Sequence, residues 1–322
     1  MAFPDEIYFG TNMSVWPTRW VAWPWSEIQA EIDLCHALGF NCIRMFGDIA
    51  SRLEGDMTLG DYTSRWNQFL DYCATKDIYV YVAGGVGQWI GMNFGPGDTF
   101  DPFNSFEPTD QQIADQIAET VTIVDSHQAV IAYDLINEIF DNSYTHGGVD
   151  FAQKLWDASS TETSKSITLS RIMSADADFS DDTWFGYTFC QHIDNHIYYP
   201  GAVQGSSVSP LPAASGLLTA QRALFPNRPI CVSEFGANNT VTNRHQYYQQ
   251  ILHNWTPQIG VYPMCMNWAI IDYPDQPVAE SFVYGLYEDD RVTPYAEIIK
   301  TFNARNPVLV ACRSISGSAA PK

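Results

Sequence analysis

Two glutamates follow apolar runs of the sequence and are the first candidates for chemistry. Glu138 comes shortly after the run Val130–Leu135, and Glu234 directly follows Ile230–Ser233. A charged residue beside an apolar strand costs free energy unless it is paired or functional. Two carboxyl groups that face each other can divide the roles of proton donor and nucleophile. Glu138 and Glu234 are therefore candidates for such a pair.

Polar and aromatic side chains also end other apolar runs. Arg44 ends one run, His196 and Tyr198 lie in another, and Trp268 ends a third. Asn137 immediately precedes Glu138. Because active sites of α/β barrels are built at the C-terminal ends of the strands, residues at five strand ends are harder to dismiss than any one alone.

Eight short apolar segments, rich in β-branched and aromatic residues, predict the strands that would position these side chains. They are Ile7–Met13, Asn41–Phe46, Ile78–Ala83, Val130–Leu135, Ile167–Ile172, Asn195–Tyr199, Ile230–Ser233 and Val261–Trp268. Segments with helical spacing lie between most of them, around Ile28–Leu38, Trp66–Cys73, Pro108–Val124, Val149–Lys165, Ser215–Leu224, Thr242–Gln258 and Pro294–Asn303. Strand alternating with helix eight times predicts an α/β fold that is a single (β/α)8 TIM barrel.

The rival fold is a doubly wound open sheet, but no glycine-rich phosphate loop follows the first strand. The helix between the fifth and sixth strands has the weakest signal, a short patch around Trp184–Phe189. We predict one catalytic barrel domain over residues 1–312 and a flexible tail over 313–322, which is small and polar.

Composition excludes several classes of partner. Hydrophobic residues make up 46% of the 322 residues, which is enough for a sizeable core. The formal net charge of −21 would repel phosphate backbones and anionic membranes, so we expect no nucleic acid and no membrane as partner. No apolar run approaches the roughly 18 residues that a membrane-spanning helix needs. Oligomeric state stays open.

The seven cysteines favour buried free thiols over a disulfide framework, because several lie inside apolar runs. No CxxC pair suggests zinc. His192 and His196 straddle the start of a predicted strand, where their spacing does not place them on one face, so we expect no metal. No cofactor is expected either. The N-terminus lacks the features of a signal peptide. Localisation is left open between the cytoplasm and secretion after removal of a signal.

The order Arg44, Asn137-Glu138, His196-x-Tyr198, Glu234 and Trp268 resembles clan A of the glycoside hydrolases, and within it the family five that contains cellulases and mannanases. Gly285-Leu286-Tyr287 and Pro294-Tyr295 are similar to endings in that family. One departure is Gln88-Trp89, where many family-five members carry a histidine after the third strand. The resemblance implies a retaining β-glycosidase with a carbohydrate substrate, a β-linked glucan or mannan.

The resemblance also implies roles for single residues. Glu138 is the expected acid/base after strand four and Glu234 the expected nucleophile after strand seven. Arg44 would keep Glu234 ionised, Tyr198 could donate a hydrogen bond to it, and His196 would orient Glu138 or Tyr198. The remaining candidates would contact sugar: Asn137 at the 2-hydroxyl, Trp268 as the floor of the cleavage subsite, and Trp16, Trp89 and Trp20 as platforms of neighbouring subsites.

Simpler interpretations remain beside these. Arg44 could be a structural ion-pair partner, Glu138 and Glu234 could cap helices, and Trp268 could belong to the core. The chain could be a non-catalytic carbohydrate-binding barrel, a metal-dependent barrel hydrolase, or an exo-acting β-glucosidase or β-mannosidase of the same clan. Exo or endo action would depend on the loops 91–110, 200–214 and 270–284.

Overall fold

The structure of the chain is a computed structural model. It describes residues 3–4, 6–13, 17–85, 108–139, 148–172, 189–199, 218–219, 221–237, 248–249, 252, 262–268, 287–288 and 291–292. For residues 17–18, 171–172, 198–199, 237, 287–288 and 291–292 the description covers the backbone alone.

Nine parallel strands form one sheet. They are β1 Tyr8–Met13, β2 Cys42–Phe46, β3 Tyr79–Ala83, β4 Val130–Asp134, β5 Ser166–Thr168, β6 Arg171–Ile172, β7 Ile193–Tyr199, β8 Ile230–Ala237 and β9 Met264–Asn267. Their order in the sheet is β5-β4-β3-β2-β1-β9-β8-β7-β6. Two further strands, β10 Tyr287–Glu288 and β11 Arg291–Val292, pair antiparallel.

The two edge strands of this sheet, β5 and β6, are two parts of one barrel strand. Only Leu169 and Ser170 separate them, and β5 pairs with β4 while β6 pairs with β7. Eight strand positions therefore run around a nearly closed barrel. The predicted (β/α)8 barrel is confirmed, and the doubly wound alternative is wrong.

Each predicted strand has its counterpart, with two differences near the expected site. The fifth strand is broken at Ser170, which the apolar run Ile167–Ile172 did not indicate. The strand predicted to end at Ser233 continues to Ala237, so Glu234 lies inside β8 rather than after it. A carboxylate inside a strand interrupts the apolar signal, which explains why the predicted strand stopped there.

Helices lie between the strands: α1 Pro17–Ala22, α2 Trp25–Ala37, α3 Ile49–Glu54, α4 Leu59–Thr75, α5 Asp110–Val124 and α6 Gly148–Ser159. α2, α4 and α5 confirm the predicted helical faces, whereas α1 and α3 are too short to produce a periodic signal. A capping box of Thr109 and Gln112 fixes the start of α5. α6 ends at Ser159, before the predicted Lys165.

The other predicted helices are only partly described. Residues 218–219, 221–224, 248–249 and 252 are helical, as the segments Ser215–Leu224 and Thr242–Gln258 predicted. Nearly all of the helical patch around Trp184–Phe189 lies outside the described residues. The segment Pro294–Asn303 also lies outside them. So does the tail 313–322, and the domain boundary at residue 312 stays a prediction.

Two layers of apolar side chains hold the barrel together. One lies between strands and helices, and the other fills the barrel below the site with Tyr8, Tyr81, Met264 and Met266 among its members. Six cysteines are buried and free, as predicted, and Cys312 lies outside the described residues. Among the described residues, no helix is long and apolar enough to cross a membrane.

Candidate active site

A buried group of polar side chains lies in the middle or the C-terminal half of four strands and in the turn after β4. Arg44, Asp134, His196 and Ser233 are fully buried, and Asn137, Glu138 and Glu234 are at most 5% exposed. They come from β2, from β4 and the turn after it, from β7 and from β8. The barrel therefore brings together the residues that the sequence placed at separate strand ends, apart from those that the structure does not describe.

Arg44 holds two carboxylates at once. Its Nη1 lies 2.5 Å from Glu234 Oε1, and its Nη2 lies 2.5 Å from Asp134 Oδ2. Nη2 also donates to Asn137 Oδ1 at 2.7 Å, and Nη1 to Asn12 Oδ1 at 3.0 Å. Burial opposes the charge of Arg44, but the carboxylates of Glu234 and Asp134 outweigh it and raise its pKa. A permanent cation therefore lies against Glu234 and favours its charged form.

Asn12 fixes this cation from below. The register of β1 and β2 makes Asn12 and Arg44 direct neighbours, and the Asn12 amide donates to the carbonyls of Ser233 and Asn267. Its Oδ1 is thereby turned towards Arg44. Asp134 is fixed as firmly, because its Oδ1 accepts from the backbone N–H of Ser170. Burial raises the pKa of Asp134, although Arg44 acts in the opposite direction.

Glu138 is held in a different way. Its backbone has φ +56°, a left-handed conformation that non-glycine residues rarely adopt. Its N–H donates to Ser170 Oγ at 3.1 Å, and the N–H of Asn137 donates to Gly85 O at 2.9 Å. The break in the fifth barrel strand thus has a use, because Ser170 supports both Glu138 and Asp134. Strained backbone of this kind persists where surrounding contacts determine it, and it is common at functional sites.

His196 lies between the two glutamates. Its Nδ1 is 2.7 Å from Glu138 Oε1 and 3.4 Å from Glu234 Oε2, while its Nε2 is 3.1 Å from Ser233 Oγ. Burial lowers the pKa of His196, which favours the neutral ring. Two acceptors face Nδ1 and a hydroxyl faces Nε2. We therefore assign the proton to Nδ1, with Ser233 donating to Nε2.

A register shift places His196 beside Glu234. In the pairing of β7 with β8, Asn195 faces Val232 but His196 faces Glu234, so Ser233 is an extra residue on β8. Bulges of this kind re-aim side chains and are frequent next to active sites. The shift is what lets His196 contact Ser233 and both glutamates.

The two glutamates are close enough to act on one bond. A carboxylate oxygen of Glu138, one of Glu234 and a ring nitrogen of His196 all lie within 4.8 Å of one another. Carboxyl groups about 5–5.5 Å apart allow direct attack on a sugar carbon, whereas roughly 6.5–9.5 Å leaves room for a water. A nearest-oxygen distance within 4.8 Å is compatible with the first arrangement.

Two sets of side chains have the composition of metal ligands. They are Asp134, Asp194 and His196, and Glu138, His196 and Glu234. Arg44 already contacts Asp134 in the first set and Glu234 in the second. A divalent cation at either set would be repelled by this guanidinium, so neither set is suited to a metal.

The helix-capping alternative is wrong for Glu234, and for Glu138 it is wrong with respect to α6. Glu234 lies inside β8, so it caps no helix. Glu138 has a left-handed backbone, and α6 begins only at Gly148, so Glu138 does not cap α6. Arg44 is an ion-pair partner, as the simpler interpretation held, but one of its two partners is Glu234 itself.

The aromatic candidates have mixed outcomes. Trp268 is half-buried at the end of β9, with its edge towards Phe46 at a centroid distance of 5.7 Å. Trp20 is fully buried and donates to Phe46 O, so the suggestion that it is a sugar platform is wrong. Trp16 and Trp89 lie outside the described residues. For Tyr198 the structure describes only the backbone, in β7.

Sequence reasoning missed several partners of these residues. Asn12, Ser170 and Ser233 are small polar residues in or beside apolar strands, and each is at most 1% exposed. The only sign of these partners in the sequence was a polar residue within the apolar segments of β1 and β8. Their contacts depend on the register between strands, which a single sequence does not reveal.

Comparison with known proteins supports the fold. The sequence matches no family profile and no curated protein. A structure of GH5_18 from Streptomyces cattleya in complex with Manb1-4GlcNAc is 17% identical with a TM-score of 0.74, over 98% of this chain and 83% of that one. The exo-beta-1,4-mannosidase from Opitutaceae bacterium strain TAV5 is 19% identical with a TM-score of 0.66, over 94% and 60%.

A third neighbour is the hyperthermostable endo-1,4-beta-D-mannanase from Thermotoga petrophila RKU-1. It is 12% identical with a TM-score of 0.60, over 93% of this chain and 99% of that one. At these identities the likeness shows a shared barrel fold.

Proposed function

We propose that this chain is a retaining β-glycoside hydrolase in which Glu234 is the nucleophile and Glu138 the acid/base. The observation that carries the proposal is the pair itself: two buried carboxyl groups within 4.8 Å, joined by one histidine. The similarity of the fold to solved glycoside hydrolases supports it. The order of the strand-end residues, which resembles family five of clan A, supports it independently.

The first step uses the different surroundings of the two glutamates. Glu234, beside Arg44, attacks the anomeric carbon as a carboxylate, and a bond forms between its oxygen and that carbon. The bond from this carbon to the leaving oxygen breaks, and Glu138 gives its proton to that oxygen. Because Glu138 Oε1 accepts from His196 Nδ1–H, Oε2 is the oxygen that carries this proton.

The second step reverses the roles. Glu138, now a carboxylate, takes a proton from water while the water oxygen bonds to the anomeric carbon. The bond to Glu234 breaks and its carboxylate returns to Arg44. His196 stays neutral and serves both states of Glu138, since Nδ1–H can donate to a carboxylic acid or a carboxylate. Asn137, held by Arg44, would contact the sugar 2-hydroxyl, and Trp268 would lie under the ring.

Among β-linked sugars, we place β-mannosides first and β-glucosides second. The structural neighbours include a complex with Manb1-4GlcNAc, an exo-beta-1,4-mannosidase and an endo-1,4-beta-D-mannanase. A panel of aryl β-glycosides, manno-oligosaccharides, mannan and glucan tests this order and separates exo from endo action by the products released.

Covalent trapping tests the mechanism. A 2-deoxy-2-fluoro-β-mannosyl or β-glucosyl fluoride should inactivate the protein, and peptide mass analysis should find the sugar on Glu234. The matched control is Glu234→Gln, which should bind the reagent without labelling. Label on another residue, or no label from a reagent whose parent sugar is hydrolysed, would contradict the assignment.

A non-catalytic carbohydrate-binding barrel remains the competing function. In that case the wild type would hydrolyse no sugar, and Glu138→Gln and Glu234→Gln would leave its sugar affinity unchanged. The proposal instead requires that both variants keep measurable affinity for the oligosaccharide and lose its hydrolysis.

A further inference from the structure

A second buried carboxylate, Asp194, lies below the catalytic pair. It belongs to β7, two residues before His196, and is 3% exposed. Its Oδ1 accepts from the N–H of Ser233 at 3.0 Å, and its Oδ2 accepts from the hydroxyl of Tyr81 at 2.7 Å. Both oxygens therefore have donors, an arrangement that suits the carboxylate rather than the acid.

The donors continue as a chain into the barrel. Tyr81 OH is 3.0 Å from His192 Nε2, and His192 Nδ1 is 2.8 Å from Ser166 Oγ. Burial lowers the pKa of His192 to about 4, so this ring is neutral. The single hydroxyl proton of Tyr81 goes to Asp194, so Nε2–H of His192 donates to Tyr81 and Ser166 donates to Nδ1. Each hydrogen bond in this series, from Ser166 to His192 to Tyr81, thus has its donor pointing towards Asp194.

Asp194 lies against the groups that perform the proposed chemistry. A carboxylate oxygen of Asp194, one of Asp134 and a ring nitrogen of His196 lie within 4.8 Å of one another. The titratable and charged groups that interact with Asp194 are Arg44 of β2, Tyr81 of β3, Asp134 of β4, His192 just before β7, His196 of β7, and Cys231 of β8. Arg44 is the only permanent cation among them.

This cluster carries more acid than base. Four carboxyl groups, those of Glu138, Glu234, Asp134 and Asp194, are each at most 5% exposed, and the Arg44 guanidinium contacts two of them, Glu234 and Asp134. Asp134 and Asp194 accept hydrogen bonds at both oxygens, and Glu234 contacts Arg44. Glu138 contacts His196, a ring whose pKa burial lowers, whereas Glu234 and Asp134 contact the cation Arg44.

We propose that Asp194 is a positioning residue whose buried negative charge, held by Tyr81 and Ser233 and acting through His196, keeps Glu138 protonated at the working pH of the enzyme. The inference rests on the proposed function. A fixed negative charge makes a neighbouring acid hold its proton more firmly. The charge of Asp194 also makes His196 hold its Nδ1 proton more firmly, and this proton is the one that His196 donates to Glu138.

The sign of the effect follows from this. Removing the charge of Asp194 makes Glu138 lose its proton at lower pH, so the alkaline limb of kcat/KM moves down. Glu234 also takes up a proton only at lower pH, so the acidic limb moves in the same direction. A merely structural role would lower the rate or the stability and leave both limbs in place.

The experiment measures kcat/KM against pH for wild type, Asp194→Asn and a control, using an aryl β-glycoside that the wild type cleaves. The control is Glu31→Gln, a buried carboxylate of α2 that pairs with Arg19 outside the site. We expect both limbs of Asp194→Asn to move down by about one pH unit and those of Glu31→Gln to stay. At alkaline pH, the variant should lose more activity on a poor leaving group than on dinitrophenolate, which needs no proton.

Unmoved limbs in an active Asp194→Asn variant overturn the inference and leave the proposed function intact. A wild type that cleaves no β-glycoside overturns both. Should Asp194→Asn fail to fold, Asp194→Cys removes the same charge with a smaller side chain. If neither neutral variant folds while Tyr81→Phe does, Asp194 is a structural carboxylate and the inference fails.

Discussion

The two glutamates at the centre of the site are held by opposite means. Glu234 lies inside the continuous strand β8 and contacts the buried cation Arg44. Glu138 lies beyond the end of β4, has a left-handed backbone, and contacts His196. Burial lowers the pKa of His196 and so favours its neutral ring. One carboxyl group is fixed by charge within a bulged strand, and the other by hydrogen bonds on a strained turn.

This difference corresponds to two chemical tasks. A nucleophile must stay ionised, and a cation at hydrogen-bonding distance favours that state. An acid/base must gain and lose a proton in each cycle, so a neutral partner that tolerates both states serves it better. We propose on this basis that Glu234 and Glu138 have different roles, and each prediction below alters one side of the comparison.

The largest effect is expected at the nucleophile. Glu234→Ala should lower kcat by on the order of 10⁴-fold or more, because it removes the carboxylate proposed to form the covalent bond. Added azide should restore part of the rate by attacking from the vacated side, and the product should be the α-glycosyl azide. A β-azide product would assign the nucleophile elsewhere.

The acid/base should respond to the leaving group instead. Glu138→Ala should lower kcat/KM by about 10²–10⁴-fold on substrates with poor leaving groups and far less on a dinitrophenyl glycoside. Here azide should give the β-glycosyl azide, because it replaces the water of the second step. Equal losses on both substrates would mean that Glu138 acts in binding rather than in proton transfer.

The sequence could predict much of this contrast. Arg44 and Glu234 each end or interrupt an apolar strand, and the topology of a barrel brings strand ends to one face. The eight strands were predictable for the same reason, since their apolar runs are short and separated by helical spacing. Both signals, the apolar run and the polar residue that interrupts it, can be read within one short segment of the sequence.

The supporting contacts of Glu138 were not predictable from one sequence. Ser170 lies inside an apolar run that reads as one strand, and only the folded chain shows the break there. His196 meets Glu234 because of an extra residue on β8, and Asn12 meets Arg44 because of the register of β1 and β2. Register is decided by packing across the whole barrel, whereas periodicity is decided within one segment.

The contact between Glu234 and its cation, Arg44, can be weakened by substitution. Arg44→Lys keeps the charge but cannot reach Glu234 and Asp134 together, because an ammonium lacks the planar fork of a guanidinium. We expect kcat to fall by about 10²-fold and the free energy of unfolding by about 3 kcal/mol, since one buried carboxylate loses its partner. Initial rates and urea denaturation measure both, and Arg52→Lys, at a part-buried surface pair, is the control.

The Glu138 side can be tested most gently at Ser170. Ser170→Ala leaves the backbone N–H of Glu138 without its acceptor, which should cost about 1–3 kcal/mol of unfolding free energy. The turn that carries Glu138 should also become less well fixed, so we expect kcat to fall about tenfold on poor leaving groups and little on dinitrophenyl glycosides.

Ser159→Ala is the matched control for this change. Ser159 is fully buried, and its hydroxyl contacts no hydrogen-bonding partner among the described residues. Its removal should cost little stability and leave the dependence on leaving group unchanged. If Ser170→Ala lost stability but kept the wild-type dependence, the strained turn would be held by the rest of the barrel, and Ser170 would support the fold without positioning the acid.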